Sequence, residues 1–322
     1  MKPNLLAFAA LGLALASAPF LYQKFFAAKP QPVASTPSLD EAKRELQGKD
    51  FLVVGGTKGI GRALADDLAS LGAKVTVTGR SLEPGQHQLE FVRSDVSTVK
   101  NAHRLVTEQL KGRKFDTVVF TVGVLTTQDL QKNEEGIERD LATSYLSRFV
   151  IANDLLKANA LTGRKRMFVM GFPGVDMRPT DMDDLNFEST KYSAMLAHLN
   201  TVVMNEALVF ELAERHPDIH VFGLNPGMIQ TDIRKNFYGE STIGKTLGSV
   251  METILALLMP STEEYATKVL RPLMVSSELN LLTGISFEKD GSRCKVQPWM
   301  AEAGNRKKAW KVSENLVAKV LG

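Results

Sequence analysis

Residues 51–61 read Phe51-Leu52-Val53-Val54-Gly55-Gly56-Thr57-Lys58-Gly59-Ile60-Gly61. Four apolar residues run into a glycine-rich loop, and residues 62–71 then space their apolar side chains at helical intervals before Gly72. Strand, glycine loop and helix in that order make a dinucleotide-binding turn. The glycines allow a tight bend and let the backbone approach a pyrophosphate. The first helical turn supplies free N–H groups and the positive end of its dipole. A glycine triplet alone is weak evidence; the strand before it and the helix after it make it specific.

Working outward, residues 74–78 form a β-branched run, and residues 89–92, 117–121, 167–170 and 220–224 are further short apolar runs. The stretches separating the last three are long enough for crossover helices. Strands alternating with helices predict an α/β fold, a Rossmann-type doubly wound parallel sheet in a single domain. Pro84 and Gly85 interrupt the segment between the second and third strands, so the helix expected there is short or missing.

The 322 residues suit one large α/β core, and the formal net charge of +3 gives no sign of a nucleic-acid binder. Cys294 is the only cysteine, which excludes an internal disulfide and a paired-cysteine metal site. No metal is expected. Residues 5–22 are apolar on all faces, with Lys2 before them and Lys24 and Lys29 after. Three readings stand: a membrane anchor, a signal segment cleaved after Ala14-Leu15-Ala16, or an organelle-import sequence. As an anchor, the basic bias C-terminal to the run leaves the remaining chain in the cytosol, on the endoplasmic reticulum or another organelle membrane. The expected organisation is residues 1–28 as anchor or signal, 29–48 as linker and short helix, and 49–322 as the cofactor-binding domain.

The motif Gly55-x-x-x-Gly59-x-Gly61 resembles the cofactor signature of the short-chain dehydrogenase/reductase family. Further matches follow in the family's order. Asp95-Val96 looks like the pair that holds the adenine, and Thr121-Val122-Gly123 takes the place of the family's Asn-Ala-Gly. Asn225-Pro226-Gly227 with Thr231 is similar to the segment that meets the nicotinamide side. Residues 261–266 and 309–314 resemble helices of the retinol-dehydrogenase-like branch. The resemblance covers about residue 49 to the C-terminus. It implies a nicotinamide cofactor, with Thr57, Lys58 and Ile60 in the glycine loop beside it.

Charge argues for NADP(H). NAD-selective sites place a carboxylate after the second strand for the ribose 2′-OH. Here the chain reads Thr78-Gly79-Arg80-Ser81. Arg80 can fork onto a 2′-phosphate, and Lys58 adds a second positive charge. For either residue alone, a solvated surface base is the bland alternative.

The catalytic half departs from the family pattern, which uses a Tyr, a Lys four residues later, a Ser after the fifth strand and often an Asn. Tyr192 is present, but Leu196 stands where the Lys would be and Phe172 near the place of the Ser. Ser144 or a neighbour takes the Asn position. Three readings compete. In one, the chain is a divergent oxidoreductase with Tyr192 as proton donor, or with His198 and Asn205 acting together on one helix face. In another, it is a catalytically degenerate NADP(H)-binding sensor or scaffold. In the third, Tyr192 and His198 are structural side chains. Tyr192 and His198 fall nearly on opposite sides of a helix unless it begins between them. In residues 231–272, Phe237, Tyr238, Leu247 and the run 250–259 resemble a substrate lid. An apolar lid implies a hydrophobic carbonyl or alcohol substrate, while the same helices would equally serve as the interface of a homodimer.

Overall fold

The structure, a computed structural model, describes residues 31–322 apart from 84, 86–88, 126, 180 and 231–258. Seven strands form one sheet: β1 (Asp50–Val54), β2 (Lys74–Gly79), β3 (Glu90–Arg93), β4 (Phe115–Phe120), β5 (Leu161–Met170), β6 (His220–Leu224) and β7 (Ile285–Phe287). Their order is β3-β2-β1-β4-β5-β6-β7, and every neighbouring pair is parallel. The strand order reverses beside β1, which opens a crevice outside the ends of β1 and β4. Register makes that crevice a single edge. Val54 pairs with both Thr78 and Phe120, so the loops after β1, β2 and β4 emerge level with one another.

The helices divide between the two faces. Helix α1 (Leu39–Leu46) and helix α2 (Gly59–Ser70) cover one face. With them packs α6, which runs Thr262–Tyr265, then a π-helical turn Ala266–Leu270, then Arg271–Val275. The other face carries α3 (Val99–Arg104, continued by the π-helical Leu105–Gln109) and α4 (π-helical Leu141–Leu146 leading into Ser147–Lys157). Also on that face are α5 (Ala194–Arg215) and α8 (Ala303–Leu321), the last preceded by the short α7 (Pro298–Ala301). Period-two alternation separates the two cores. Leu52 and Val54 face the α4–α5 side, whereas Phe51 and Val53 face α2. Because both faces of a central strand are buried, its sequence reads as a continuous apolar run.

The doubly wound parallel sheet is the one expected. Each anticipated strand is present, with ends displaced by a residue or two except in β5, which begins at Leu161. Between β2 and β3 no helix occurs among the described residues, as Pro84 and Gly85 implied. Strand β7 escaped the sequence reading, since three residues with Ser286 at the centre carry no periodicity.

Residues 33–46 pack on the domain. Ala34, Ala42 and Leu46 are buried with the α2 side chains, and Arg164 on β5 bonds Glu45 Oε2 at 2.6 Å. Residues 33–322 form one compact unit. Among the described residues no helix is long and apolar enough to cross a membrane. The apolar run 5–22 lies outside the described residues.

Leu46 is fully buried. Leu46→Ala should therefore cost about 3 kcal/mol, lowering the urea midpoint. An unchanged midpoint would show that α1 adds nothing to the fold.

Candidate cofactor and catalytic site

The loop after β1 is shaped for close approach. Gly55 has φ +90°, and a Cβ there would lie 2.5 Å from Val122 N. A Cβ on Gly61 would lie 2.3 Å from Thr121 Oγ1 and 2.7 Å from the Gly55 carbonyl oxygen. Neither position accepts a side chain, because the ends of β1 and β4 and the start of α2 converge there. Gly59 opens α2 with φ +56°. No side chain caps that helix, and no acidic residue occupies its first turn. The twelve-residue helix thus aims unsatisfied N–H donors and its positive end at the crevice. A dinucleotide pyrophosphate fits this cradle.

Arg80 and Lys58 are both exposed, Arg80 directly after β2. A Cβ on Gly79 would meet Thr57 Oγ1 at 2.7 Å, so the end of β2 and the glycine loop touch. Ile60, in the first turn of α2, packs against the core on that face. Val96 is buried, while exposed Asp95 accepts a hydrogen bond from Ser97 N at 3.1 Å. At the end of β4, a Cβ on Gly123 would lie 3.4 Å from Ser144 Oγ and 3.5 Å from Arg148 Nη2. After β6, Pro226 is half-buried, and Gly227 (φ +65°) donates its N–H to Asn225 Oδ1 at 2.9 Å. Thr231 and the expected lid residues Phe237, Tyr238 and Leu247 lie outside the described residues.

Between α4 and α5 runs a buried polar seam. Asp140, Ser144 and Arg148 fall on one face of α4 at intervals of four. They meet His198 and Asn205, which share a face of α5 with Thr201. His198 Nδ1 lies 2.8 Å from Asp140 Oδ2, and Asp140 is fully buried. Asn205 donates to the Ser144 carbonyl at 2.9 Å and to the Thr201 carbonyl at 2.7 Å, and accepts from Arg148 Nη1 at 3.0 Å. Arg148 Nε donates to the Val122 carbonyl at 3.1 Å, and its Nη1 reaches the Met170 carbonyl. Burial pulls the Arg148 pKa down to about 10, opposed by the negative charge of Asp140, so the guanidinium stays cationic at neutral pH.

Tyr192 occupies a different place. Helix α5 begins at Ala194 with Ser193 as its N-cap, so Tyr192 precedes it. Its ring meets Phe187 edge-on at 5.2 Å, and its hydroxyl donates to Glu138 Oε1 at 3.4 Å. Burial raises the Glu138 pKa, countered by the N–H of Leu141 at 2.7 Å.

The family profile described as short chain dehydrogenase matches residues 49–165. An uncharacterized oxidoreductase of Saccharomyces cerevisiae is 34% identical over 298 residues, covering 88% of this chain and 94% of the relative. The chain belongs to the short-chain dehydrogenase family. Human retinol dehydrogenase 13 is 24% identical, covering 86% of each chain. A crystal structure of a family protein from Francisella tularensis superposes with a TM-score of 0.56 at 20% identity, covering 76% of this chain and 98% of the other. As a short-chain dehydrogenase the protein is an oxidoreductase that uses a nicotinamide cofactor and a small-molecule substrate.

Within that family its catalytic half is unusual. The site brings His198 and Asn205 together on one helix face and leaves Tyr192 outside the helix. Both N–H donors of Asn205 are committed to carbonyls, which makes it a brace between α4 and α5. Leu196 and Phe172 are exposed side chains. Sequence reasoning missed Asp140 and Arg148. The trace they leave in sequence is faint: Asp140, Ser144 and Arg148 recur at every fourth position, but Thr143, Ser147, Asn153 and Asp154 in the same segment are polar too.

One position beyond Asn205, Glu206 turns to the loop after β5 and accepts from Gly174 N at 3.2 Å. Burial pushes its pKa up to about 7 despite that bond, and Glu288 adds repulsion. In the unfolded chain its proton is lost near the ordinary value of 4.5, in the folded chain near 7. Over that window the unfolded state holds fewer protons, so stability falls as pH rises from 4.5 and this contribution is gone above 7. Glu206→Gln should remove that slope and raise the melting temperature at pH 8. An unchanged Tm–pH profile would contradict a buried, protonated Glu206.

Proposed function

We propose that the protein is an NADP(H)-dependent oxidoreductase that transfers hydride between the nicotinamide and a hydrophobic carbonyl or alcohol. The observation that carries this reading is the glycine cradle opening onto Arg80. Two glycines without room for a Cβ and an uncapped helix N-terminus accept the pyrophosphate. The residue following β2 is a guanidinium where an NAD site would carry a carboxylate. When bound, the nicotinamide supplies or accepts the hydride. The chain's own groups hold its two ends: Gly55, Thr57, Lys58, Gly59, Ile60 and Gly61 at the pyrophosphate, Arg80 at the 2′-phosphate, and Asp95 and Val96 at the adenine. Gly123, Pro226 and Gly227 would border the nicotinamide.

Apolar side chains support the substrate class. Phe172 after β5, Met195 and Leu196 in the first turn of α5, and Met228 after β6 are all exposed at the C-terminal edge of the sheet. Together they offer a greasy rim beside a polar seam, the combination that orients an apolar molecule by one polar end. The relative named retinol dehydrogenase 13 agrees with an apolar alcohol.

Arg80→Ala should weaken NADPH binding about 30-fold, measured by quenching of NADPH fluorescence, and leave NADH affinity within about twofold. Equal losses for the two nucleotides would refute the 2′-phosphate assignment. Tight NADPH binding with no turnover of any carbonyl in an aliphatic and isoprenoid panel would favour a cofactor-binding sensor.

Residues 5–22 fit a membrane anchor of an organelle such as the endoplasmic reticulum, with the domain in the cytosol. The full chain should then stay in the membrane pellet after alkaline carbonate extraction. Release of a chain starting near Ser17 would show cleavage instead.

A further inference from the structure

We propose that Asp140 and His198 form the proton-transfer pair of this site, with His198 Nε2 as the atom that gives or takes the substrate proton. The proposal rests on the oxidoreductase reading above and names the acid/base that the sequence left open.

Position comes first. Asn205 fixes where α5 crosses the sheet, because its Cβ lies 3.7 Å from the point where a Gly171 Cβ would sit, just past the end of β5. His198 is seven residues nearer the helix N-terminus on the same face, about 10 Å further along the axis at 1.5 Å per residue. Helix α5 enters from the C-terminal edge of the sheet, so that step carries His198 outward over the opening framed by the loops after β4 and β5. The exposed rim residues Met195 and Leu196 lie less than one turn away.

The geometry gives the imidazole two unlike ends. Nδ1 faces inward, 2.8 Å from Asp140 Oδ2. The His198 side chain keeps 31% of its surface while Asp140 keeps none, and Nε2 is the ring nitrogen that Asp140 does not engage. Asp140 Oδ1 is buried and finds no hydrogen bond among the described residues. A buried carboxylate with one oxygen unserved depends on the His198 N–H. That dependence holds the proton on Nδ1 and leaves Nε2 to exchange with a substrate, the logic by which a carboxylate orients a catalytic imidazole. Two turns along α4, the buried Arg148 guanidinium adds a fixed positive charge beside Gly123. An oxygen that gains negative charge in the reaction is stabilised by such a preorganised cation.

The balance is simple. In reduction, the carbonyl carbon gains the hydride and the carbonyl oxygen takes the proton from Nε2. The imidazolium becomes neutral imidazole, still bonded through Nδ1–H to Asp140, and solvent restores the proton at the open edge. Oxidation runs each transfer in reverse. Tyr192 is given no part in this transfer: it precedes α5, and its hydroxyl lies 3.4 Å from Glu138 Oε1.

The test uses the full chain, NADPH and all-trans-retinal. His198→Gln should lower kcat at least 100-fold with NADPH affinity unchanged by fluorescence. Asp140→Asn should lower kcat about tenfold with KM unchanged, and Tyr192→Phe should stay within threefold of the parent. Melting curves confirm that each variant is folded. A readout independent of turnover comes from nitrogen-15 spectra. Neutral His198 should carry its proton on Nδ1, and Asp140→Asn should abolish that preference. A proton found on Nε2, or full activity in His198→Gln, overturns the pair while leaving the oxidoreductase reading intact. Parent protein that binds NADPH and reduces neither retinal nor any other carbonyl overturns both.

Discussion

The Arg148 guanidinium is the pin on which the site depends. It is fully buried, and an arginine in that position survives only if its donors are satisfied and its charge is offset. Here the acceptors are the Val122 and Met170 carbonyls, just past the end of β4 and at the end of β5, and the Asn205 side chain on α5. One planar group therefore ties two strand ends, their loops and two helices into a fixed relation. Asp140 shares the same helix face and supplies the opposing charge. That anchoring sets Gly123 beside Arg148 and Ser144, and Asn205 ties Ser144 to the same group.

Around the pin, the two halves of the molecule obey different constraints. The cofactor half is dictated by backbone. Gly55 and Gly61 lack side chains because β1, β4 and α2 crowd them, and the anion site is made of peptide N–H groups. Such a site leaves a mark in sequence wherever it occurs. The catalytic half is built from side chains that meet across helices, where one constellation can replace another on an unchanged scaffold. Leu196 and Phe172 stand where the family places a lysine and a serine, and a carboxylate, an imidazole and a guanidinium are gathered nearby instead.

Buried ionisable groups extend beyond this seam. Glu206 and Glu288 both have raised pKa values through burial, and both approach Gly174 in the loop after β5. Asn225 bridges Glu288 and the Pro173 carbonyl at 3.1 and 3.2 Å. Polar contacts thus join the loops after β5, β6 and β7, with two buried carboxyl groups among them.

Much of the molecule was legible in sequence for a local reason. Strands buried on both faces read as apolar runs, and Gly55, Gly59 and Gly61 form a spacing that can be read within seven residues of chain, although the atoms that crowd Gly55 and Gly61 belong in part to Val122 and Thr121. Strand β7 was illegible because three residues carry no period, and it exists through pairing with β6. Tyr192 attracted attention by its type, yet the start of α5 at Ala194 separates it from the helix that carries His198. The sequence alone determined the parallel sheet, the glycine cradle and the positive charge beside it, since each follows from neighbours in the chain. Only the tertiary structure decided that Asp140 meets His198 across 58 positions, and Arg148 meets Asn205 across 57, because the packing of α4 on α5 sets those contacts.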